Sequence, residues 1–150
     1  MQKITPFLWF DGQAEEAAKF YVSIFKNSKI IGTMPGPGEA VAGVTFELDG
    51  QIFMSINGGP HFKFTEAISL YIDCKDQKEV DYYWEKLSEG GEESQCGWLK
   101  DKFGLSWQVI PKALTDGFQD KDPQTVNRVM QAMLKMKKIN VAEIEKARRG

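Results

Sequence analysis

The sequence contains little of what builds a disulfide scaffold, a membrane anchor or a metal-rich site. It has two cysteines and one histidine in 150 residues. Two thiols cannot form a disulfide framework, so we expect both to be reduced in a cytoplasmic protein. No apolar run approaches the roughly 18 residues of a membrane span, and MQKITPFLWF lacks the apolar core of a signal peptide. The formal net charge of -2 favours neither nucleic acid nor a membrane surface as a partner.

Two segments 62 residues apart have similar sequences. PFLWFDGQAEEAAKFYVSIF begins at Pro6, and ISLYIDCKDQKEVDYYWEKL begins at Ile68. Each is typical of a strand, a turn and an amphipathic helix. A second repeat aligns residues 50–56 with 104–110 and matches Met54 with Gln108. Repetition of this kind reports architecture. It predicts a strand–helix–strand–strand–strand module that occurs twice.

Hydrophobic periodicity and turn residues place the elements of both modules. The Asp49-Gly50 pair predicts a tight hairpin between two strands. The pattern predicts helices at Ala14–Phe25 and around Val80–Leu87. Strands are predicted at Ile4–Phe10, Ile30–Thr33, Val41–Leu48, Gln51–Ile56, Ala67–Cys74, Ser94–Leu99 and Leu105–Ile110.

The last 40 residues predict two further helices without a counterpart in the first module. Asp122 is suited to be an N-cap with Pro123 at the first helical position. Asn140, followed by Glu143, indicates a second helix start of the capping-box kind. We expect this extension to cover an open edge or to contact a partner subunit.

The motifs ITPFLWFDGQAEEAAKFY, INGGP and CGWLKDKFGLSWQVIP resemble the vicinal oxygen chelate (glyoxalase/bleomycin-resistance) superfamily. They are most similar to its PhnB-like branch, often labelled 3-demethylubiquinone-9 3-methyltransferase-like. The resemblance covers roughly Ile4 to Pro111, and the tail RVMQAMLKMKKINVAEIEKA resembles one subgroup of the branch. It implies an α+β fold with two βαβββ modules that form curved mixed sheets around a cleft, followed by C-terminal helices. It also implies a homodimer.

We therefore expect a single glyoxalase-like domain. Module one would span about residues 1–62, module two about 63–111, and the helical extension 112–150. Alternation along 67–74 separates an apolar face, which a helix would cover, from a mixed face. In the superfamily the pocket lies on the face that corresponds to the mixed face here. The predicted ligand-binding residues are Phe7, Trp9, Met54, Ser69, Tyr71, Ser106 and Gln108.

The resemblance also marks where the superfamily's enzymes hold a metal ion. These positions fall here on Thr5 or Pro6, Met54, Ala67 and Gln108. Divalent metals prefer imidazole nitrogen or carboxylate oxygen, which none of these side chains offers. The histidine, His61, lies in a loop after Gly58-Gly59-Pro60. We therefore predict no bound metal and no cofactor.

Three functions remain open from the sequence, and the catalytic residues, if any, are unknown. The first is metal-independent binding of a small, partly aromatic molecule. The second is an enzyme acting on a quinone-like or small carbonyl substrate, either metal-free through Tyr71, Gln108 and Asp73 or as a metal-dependent lyase or dioxygenase of the superfamily. The third is protein partnership through the C-terminal helices. Methyl transfer usually comes with a glycine-rich loop after the first strand, whereas Gly12 stands alone there.

Other reactive side chains favour structural roles. Cys74 falls on the helix-covered face and is expected in the core. Cys96 is predicted beside the pocket, about 13 Å along a strand from Lys100, too far for that cation to activate its thiol. Asp73 and Asp101 follow strands, where aspartate often accepts turn hydrogen bonds.

Overall fold

A computed structural model describes residues 2–150 of the chain. The chain divides into two compact units, with one ending at Phe64 and the next beginning at Thr65. Each unit contains the predicted strand–helix–strand–strand–strand order. Within the described residues, no helix is both long enough and apolar enough to cross a bilayer.

The first unit is a four-stranded mixed sheet with one helix. The elements are β1 (Phe7–Phe10), α1 (Ala14–Ile24), β2 (Lys29–Pro35), β3 (Val41–Leu48) and β4 (Gln51–Asn57). The sheet order is β1-β4-β3-β2, with β1 parallel to β4 and the other neighbours antiparallel. The last strand of the unit therefore lies beside its first strand.

Local chemistry explains the bounds of these elements. Asp49 and Gly50 have φ angles of 47° and 85°, as a two-residue hairpin turn with the twist of its strands requires. The predicted hairpin is therefore confirmed, with Leu48 paired to Gln51. Helix α1 buries one side of the sheet through the small or apolar residues of its inner face, Ala14, Ala17, Ala18, Tyr21 and Ile24.

The second unit repeats the arrangement and adds three helices. The elements are β5 (Leu70–Cys74), α2 (Gln77–Ser88), β6 (Glu92–Glu93), β7 (Trp98–Lys100), β8 (Ser106–Pro111), α3 (Lys112–Phe118), α4 (Pro123–Met133) and α5 (Val141–Arg149). The sheet order is β5-β8-β7-β6, again with the first strand parallel to the last. The α+β fold of two βαβββ modules is confirmed.

Several predicted strand bounds were too long. Residues 94–97 form a loop, because Cys96 and Gly97 both adopt positive φ angles, 61° and 85°, which a strand does not allow. The strand predicted from Ala67 begins only at Leu70. Ile68 is consequently 65% exposed, although its apolar character placed it under a helix.

The C-terminal helices form a small core on the second unit. The predicted caps are confirmed: Asp122 accepts from the Gln124 amide, and Asn140 from the Glu143 amide. Helix α3, the first helix of the extension, was not predicted and follows the last strand of the sheet directly. The buried residues of this core are Ile110, Leu114, Val129, Ile139 and Ile144.

A loop and the extension are joined by backbone hydrogen bonds. The amide of Cys96 donates to the Met136 carbonyl, and the amide of Gly97 donates to the Lys137 carbonyl, both at 2.8 Å. A side chain at Gly97 would meet Ile110 and Ile139 at 2.8 and 3.1 Å. Glycine is thus needed there for both conformation and space.

Candidate binding pocket of the second unit

Three strands of the second sheet present one row of side chains on the face opposite α2. Tyr71 of β5 is paired with Gln108 of β8, and Gln108 is paired with Trp98 of β7. Residues in register on neighbouring strands point to the same face. The opposite face is closed by the helix, with Trp107 and Val109 buried at 3% and 0% exposure.

The extension turns this open row into a pocket of about 360 Å³. The sheet and the loop at residues 94–97 supply one side of the pocket. Helix α3, the residue that follows it, Gln119, and the last residue of α4, Met133, supply the other side. A volume of this size, with apolar walls and a few polar groups, suits a small organic molecule. The lining residues are Tyr71, Cys96, Trp98, Gln108, Ile110, Leu114, Thr115, Phe118, Gln119 and Met133.

Two hydrogen bonds orient polar side chains of the pocket. The hydroxyl groups of Tyr71 and Thr115 are 3.2 Å apart, which links β5 to α3. The Gln108 amide nitrogen donates to the Ser69 hydroxyl at 2.9 Å. The remaining donor and acceptor capacity of the Gln108 amide is available for a ligand. Of the predicted ligand-binding residues, Tyr71 and Gln108 line the pocket, and Ser69 contacts it through Gln108.

Ser106 lies one row further along β8, paired with Lys100. It is 1% exposed, and its hydroxyl has no hydrogen-bond partner among the described residues. It does not line the pocket. Beside it, Lys100 forms an ion pair with Glu66. The hydrogen bond that Lys100 donates to Glu66 and the attraction of the Lys100 ammonium lower the pKa of Glu66.

The predicted residues of the first unit lie on the exposed face of the first sheet. Phe7 is paired with Met54 across β1 and β4 and is 53% exposed. The Trp9 indole donates to the Gly59 carbonyl at 2.9 Å, and the Phe62 ring packs edge-on against it at 4.9 Å. Trp9 therefore anchors the INGGP loop. A ligand-binding role for Phe7, Trp9 and Met54 stays a prediction.

Sequence reasoning missed seven of the ten lining residues, among them all those of the extension. The five residues contributed by the extension come from a helix that the sequence did not reveal and from the end of the next one. Trp98 was predictable in principle, because the predicted strand Ser94–Leu99 places it on the same face as Cys96, which was predicted beside the pocket. The positions on α3 carried no such signal.

No group of three or more histidine, cysteine, aspartate or glutamate side chains is arranged to hold a metal within residues 2–150. The buried carboxylate of Asp101 serves the fold instead. It accepts from the amides of Phe103 and Leu105 at 2.8 and 3.1 Å and from the Trp107 indole at 2.9 Å. The expected structural role of Asp101 is confirmed.

The two cysteines differ in their surroundings. Cys74 is fully buried, as expected, and burial, followed by the negative charges of Glu79 and Asp73, raises the pKa of its thiol to about 12. Cys96 is half-buried and lines the pocket. A reagent that reaches the pocket would therefore meet the Cys96 thiol, while Cys74 is shielded.

Two βαβββ modules, each with its first strand parallel to its last, define a protein of the glyoxalase/bleomycin-resistance (vicinal oxygen chelate) fold. Residues 2–110 match the family model described as 3-demethylubiquinone-9 3-methyltransferase. The chain belongs to this family, as its sequence motifs indicated.

Solved structures agree with this assignment. The chain is 41% identical to a PhnB protein from Bacillus cereus, provisionally described as a 3-demethylubiquinone-9 3-methyltransferase, with 73% of this chain and 99% of that one covered and a TM-score of 0.68. Protein PA1353 from Pseudomonas aeruginosa is 19% identical over 71% and 95% of the two chains (TM-score 0.58). FosX from Listeria monocytogenes, a fosfomycin resistance protein complexed with Mn(II), is 15% identical over 71% and 89% (TM-score 0.53). The last two share the fold alone, and no curated protein matches significantly.

Proposed function

We propose that this protein binds a small, partly aromatic molecule in the pocket of the second unit, without a metal ion. The observation that carries the proposal is the row Tyr71–Gln108–Trp98, which forms one wall of a 360 Å³ pocket. Two aromatic rings flank an amide on this wall. Such a wall stacks on a flat molecule and orients it through hydrogen bonds.

The chemistry of the side chains supports metal-independent binding. Gln108, which occupies a metal-ligand position by resemblance, already donates to Ser69. An amide is a weak ligand for a divalent ion that prefers imidazole or carboxylate. In the first unit, Met54 offers only a thioether at the matching position. The Mn(II) that accompanies FosX would find no equivalent ligands at these two residues.

The first test is native mass spectrometry of gently purified full-length protein. A retained organic mass without a metal would support the proposal and identify the ligand class. A metal held at one ion per subunit would overturn metal independence. The same spectrum reports whether the chain is the homodimer that the family resemblance leads us to expect.

The second test places the ligand in the pocket. We would measure binding of 2-naphthamide by calorimetry and the rate at which iodoacetamide alkylates Cys96 in its presence. Binding is expected to slow the alkylation, because Cys96 lines the pocket, while buried Cys74 stays unmodified in both conditions. Unchanged alkylation at saturating 2-naphthamide would place the ligand elsewhere.

A filled pocket provides the matched control. Thr115→Trp adds an indole on the helix side of the pocket and is expected to abolish 2-naphthamide binding. Tyr82→Trp adds the same group on α2, outside the lining residues, and should leave binding intact. Circular dichroism would verify that both variants are folded. Equal binding by the two variants would contradict the proposed site.

A further inference from the structure

The pocket of the second unit is lined without any charged side chain. Among the described residues that line it, none is an aspartate, glutamate, lysine, arginine or histidine. The polar groups of its lining residues are two amides, two hydroxyls, one thiol and the indole N–H of Trp98. This composition is informative because charged residues make up 27% of the chain.

Charged side chains near the pocket in sequence do not line it. Lys112 and Asp116 form an ion pair along the exposed side of α3. Lys100 is paired with Glu66. Asp73 lies on an exposed end of β5 and is not a lining residue. An anionic or cationic ligand would therefore find no counter-ion in this pocket.

The polar groups of the pocket suit an uncharged ligand. The amides of Gln108 and Gln119 each provide donors and an acceptor, and the hydroxyls of Tyr71 and Thr115 provide both. These groups can pair with a carbonyl, a hydroxyl or an amide. A carboxylate or ammonium group that entered would lose its hydration without a charged partner, which is far more costly.

The C-terminal extension supplies half of this lining. The family match ends at residue 110, and Leu114, Thr115 and Phe118 follow it on α3. Gln119 and Met133 complete the contribution of the extension. A family member that ends where the match ends would leave the row Tyr71–Gln108–Trp98 open on this side.

We propose that the C-terminal extension makes the pocket selective for an uncharged aromatic molecule that carries a carbonyl or hydroxyl group. This inference rests on the proposed binding function and specifies its ligand class. The extension supplies neutral walls that lack a counter-ion. Selectivity against charged ligands then depends on the extension in addition to the region that the family model matches.

The test compares three probes of similar shape on the full-length protein. 2-Naphthamide is uncharged, 2-naphthoate is an anion, and 2-naphthylmethylamine is a cation at pH 7.5. Calorimetry is expected to show that 2-naphthamide binds at least about tenfold more tightly than either charged probe. Equal affinities for 2-naphthamide and a charged probe would overturn the selectivity and leave the binding function standing.

A charge placed on the extension tests where the selectivity resides. Gln119→Lys adds an ammonium group at the exposed end of α3. The ratio of 2-naphthoate to 2-naphthamide affinity is expected to rise by about tenfold. Gln51→Lys makes the same exchange at an exposed residue of the first unit and should leave the ratio unchanged.

The outcomes separate the two proposals. An unchanged ratio in Gln119→Lys would overturn the role of the extension, even if the wild-type protein prefers the uncharged probe. Failure of all three probes to bind, with no organic mass retained in native mass spectrometry, would overturn the binding function and this inference with it. Preference for the uncharged probe together with a raised ratio supports both.

Discussion

The hydroxyl groups of Tyr71 and Thr115 lie 3.2 Å apart and join the first strand of the second sheet to the first helix of the extension. Tyr71 belongs to the repeated module, and Thr115 follows the end of the family match. The bond therefore connects the shared part of the fold to the part that completes the pocket. Deleting either hydroxyl should therefore remove the stabilisation that the two residues provide through this bond.

Tyr71→Phe and Thr115→Val each delete one partner of this bond. We expect each variant to lower the free energy of unfolding by about 0.5–1 kcal/mol, with the double variant losing less than the sum. Urea denaturation of all four proteins measures the coupling. Thr33→Val, which makes the same exchange as Thr115→Val at an exposed residue of β2, is the matched control. Strictly additive losses would show that the two hydroxyls do not interact in solution.

Gly58 lies against the indole of Trp9, and a methyl group there would overlap the ring. Gly58→Ala is expected to displace Trp9 from the Gly59 carbonyl and to destabilise the protein by about 1–3 kcal/mol. Thermal denaturation and tryptophan fluorescence would detect both effects. Gly32→Ala is the control, because its methyl group meets no atom within 4 Å. A neutral Gly58→Ala would mean that the loop does not pack on Trp9 as described.

Asp101 accepts three hydrogen bonds from a buried position, 2% exposed. Asp101→Asn keeps the shape but turns an N–H₂ group toward the Trp107 indole N–H. Two donors then face each other, and we expect a loss of about 1–3 kcal/mol. Asp73→Asn, at an exposed site, should change stability by less than about 0.5 kcal/mol. Chemical denaturation gives both values, and similar losses would argue against a special role for Asp101.

The raised pKa of Cys74 predicts a loss of stability in alkali. Below pH 9, the ordinary value for this thiol, it is protonated in both the folded and the unfolded state. Between pH 9 and about 12, the unfolded chain loses the proton and the folded chain retains it. The free energy of unfolding then falls, by up to about 1.4 kcal/mol per pH unit.

Cys74→Ala removes this titration but leaves all other groups in place. Its stability should be lower than that of the wild type near neutral pH, because the side chain is buried. Its decline between pH 9 and 11 should be shallower, since tyrosine and lysine titrations are common to both proteins. Guanidinium denaturation at a series of pH values measures the two slopes. Parallel slopes would contradict the shielding of this thiol.

Sequence periodicity predicted the two faces of each sheet well, although the repeat is not a simple shift. The sequence offset of 62 matches Trp9 with Tyr71. The strand pairings instead make Phe7 the equivalent of Tyr71, because Phe7 is paired with Met54 and Tyr71 with Gln108. The difference is two residues. An even shift keeps every side chain on its face, so the predicted faces were right despite the offset.

The missing pocket wall has a physical explanation. Helix α3 has seven residues, no side-chain cap at its start and Gly117 within it, and glycine disfavours helix. Gly117 packs closely against Val129, where a methyl group would lie 3.0 Å from the valine side chain, and Leu114 is buried in the same cluster as Val129. Packing between elements distant in sequence thus overrides local preference. No local pattern could have placed Leu114 and Thr115 beside Tyr71.

The hydrogen bonds from Cys96 and Gly97 to residues 136 and 137 have a kinetic consequence. Loop amides usually exchange with deuterium rapidly, because water reaches them without any unfolding. These two amides are held by the extension and can exchange only when it lifts from the sheet. Their protection from exchange would therefore report how stably the extension is held against the second sheet.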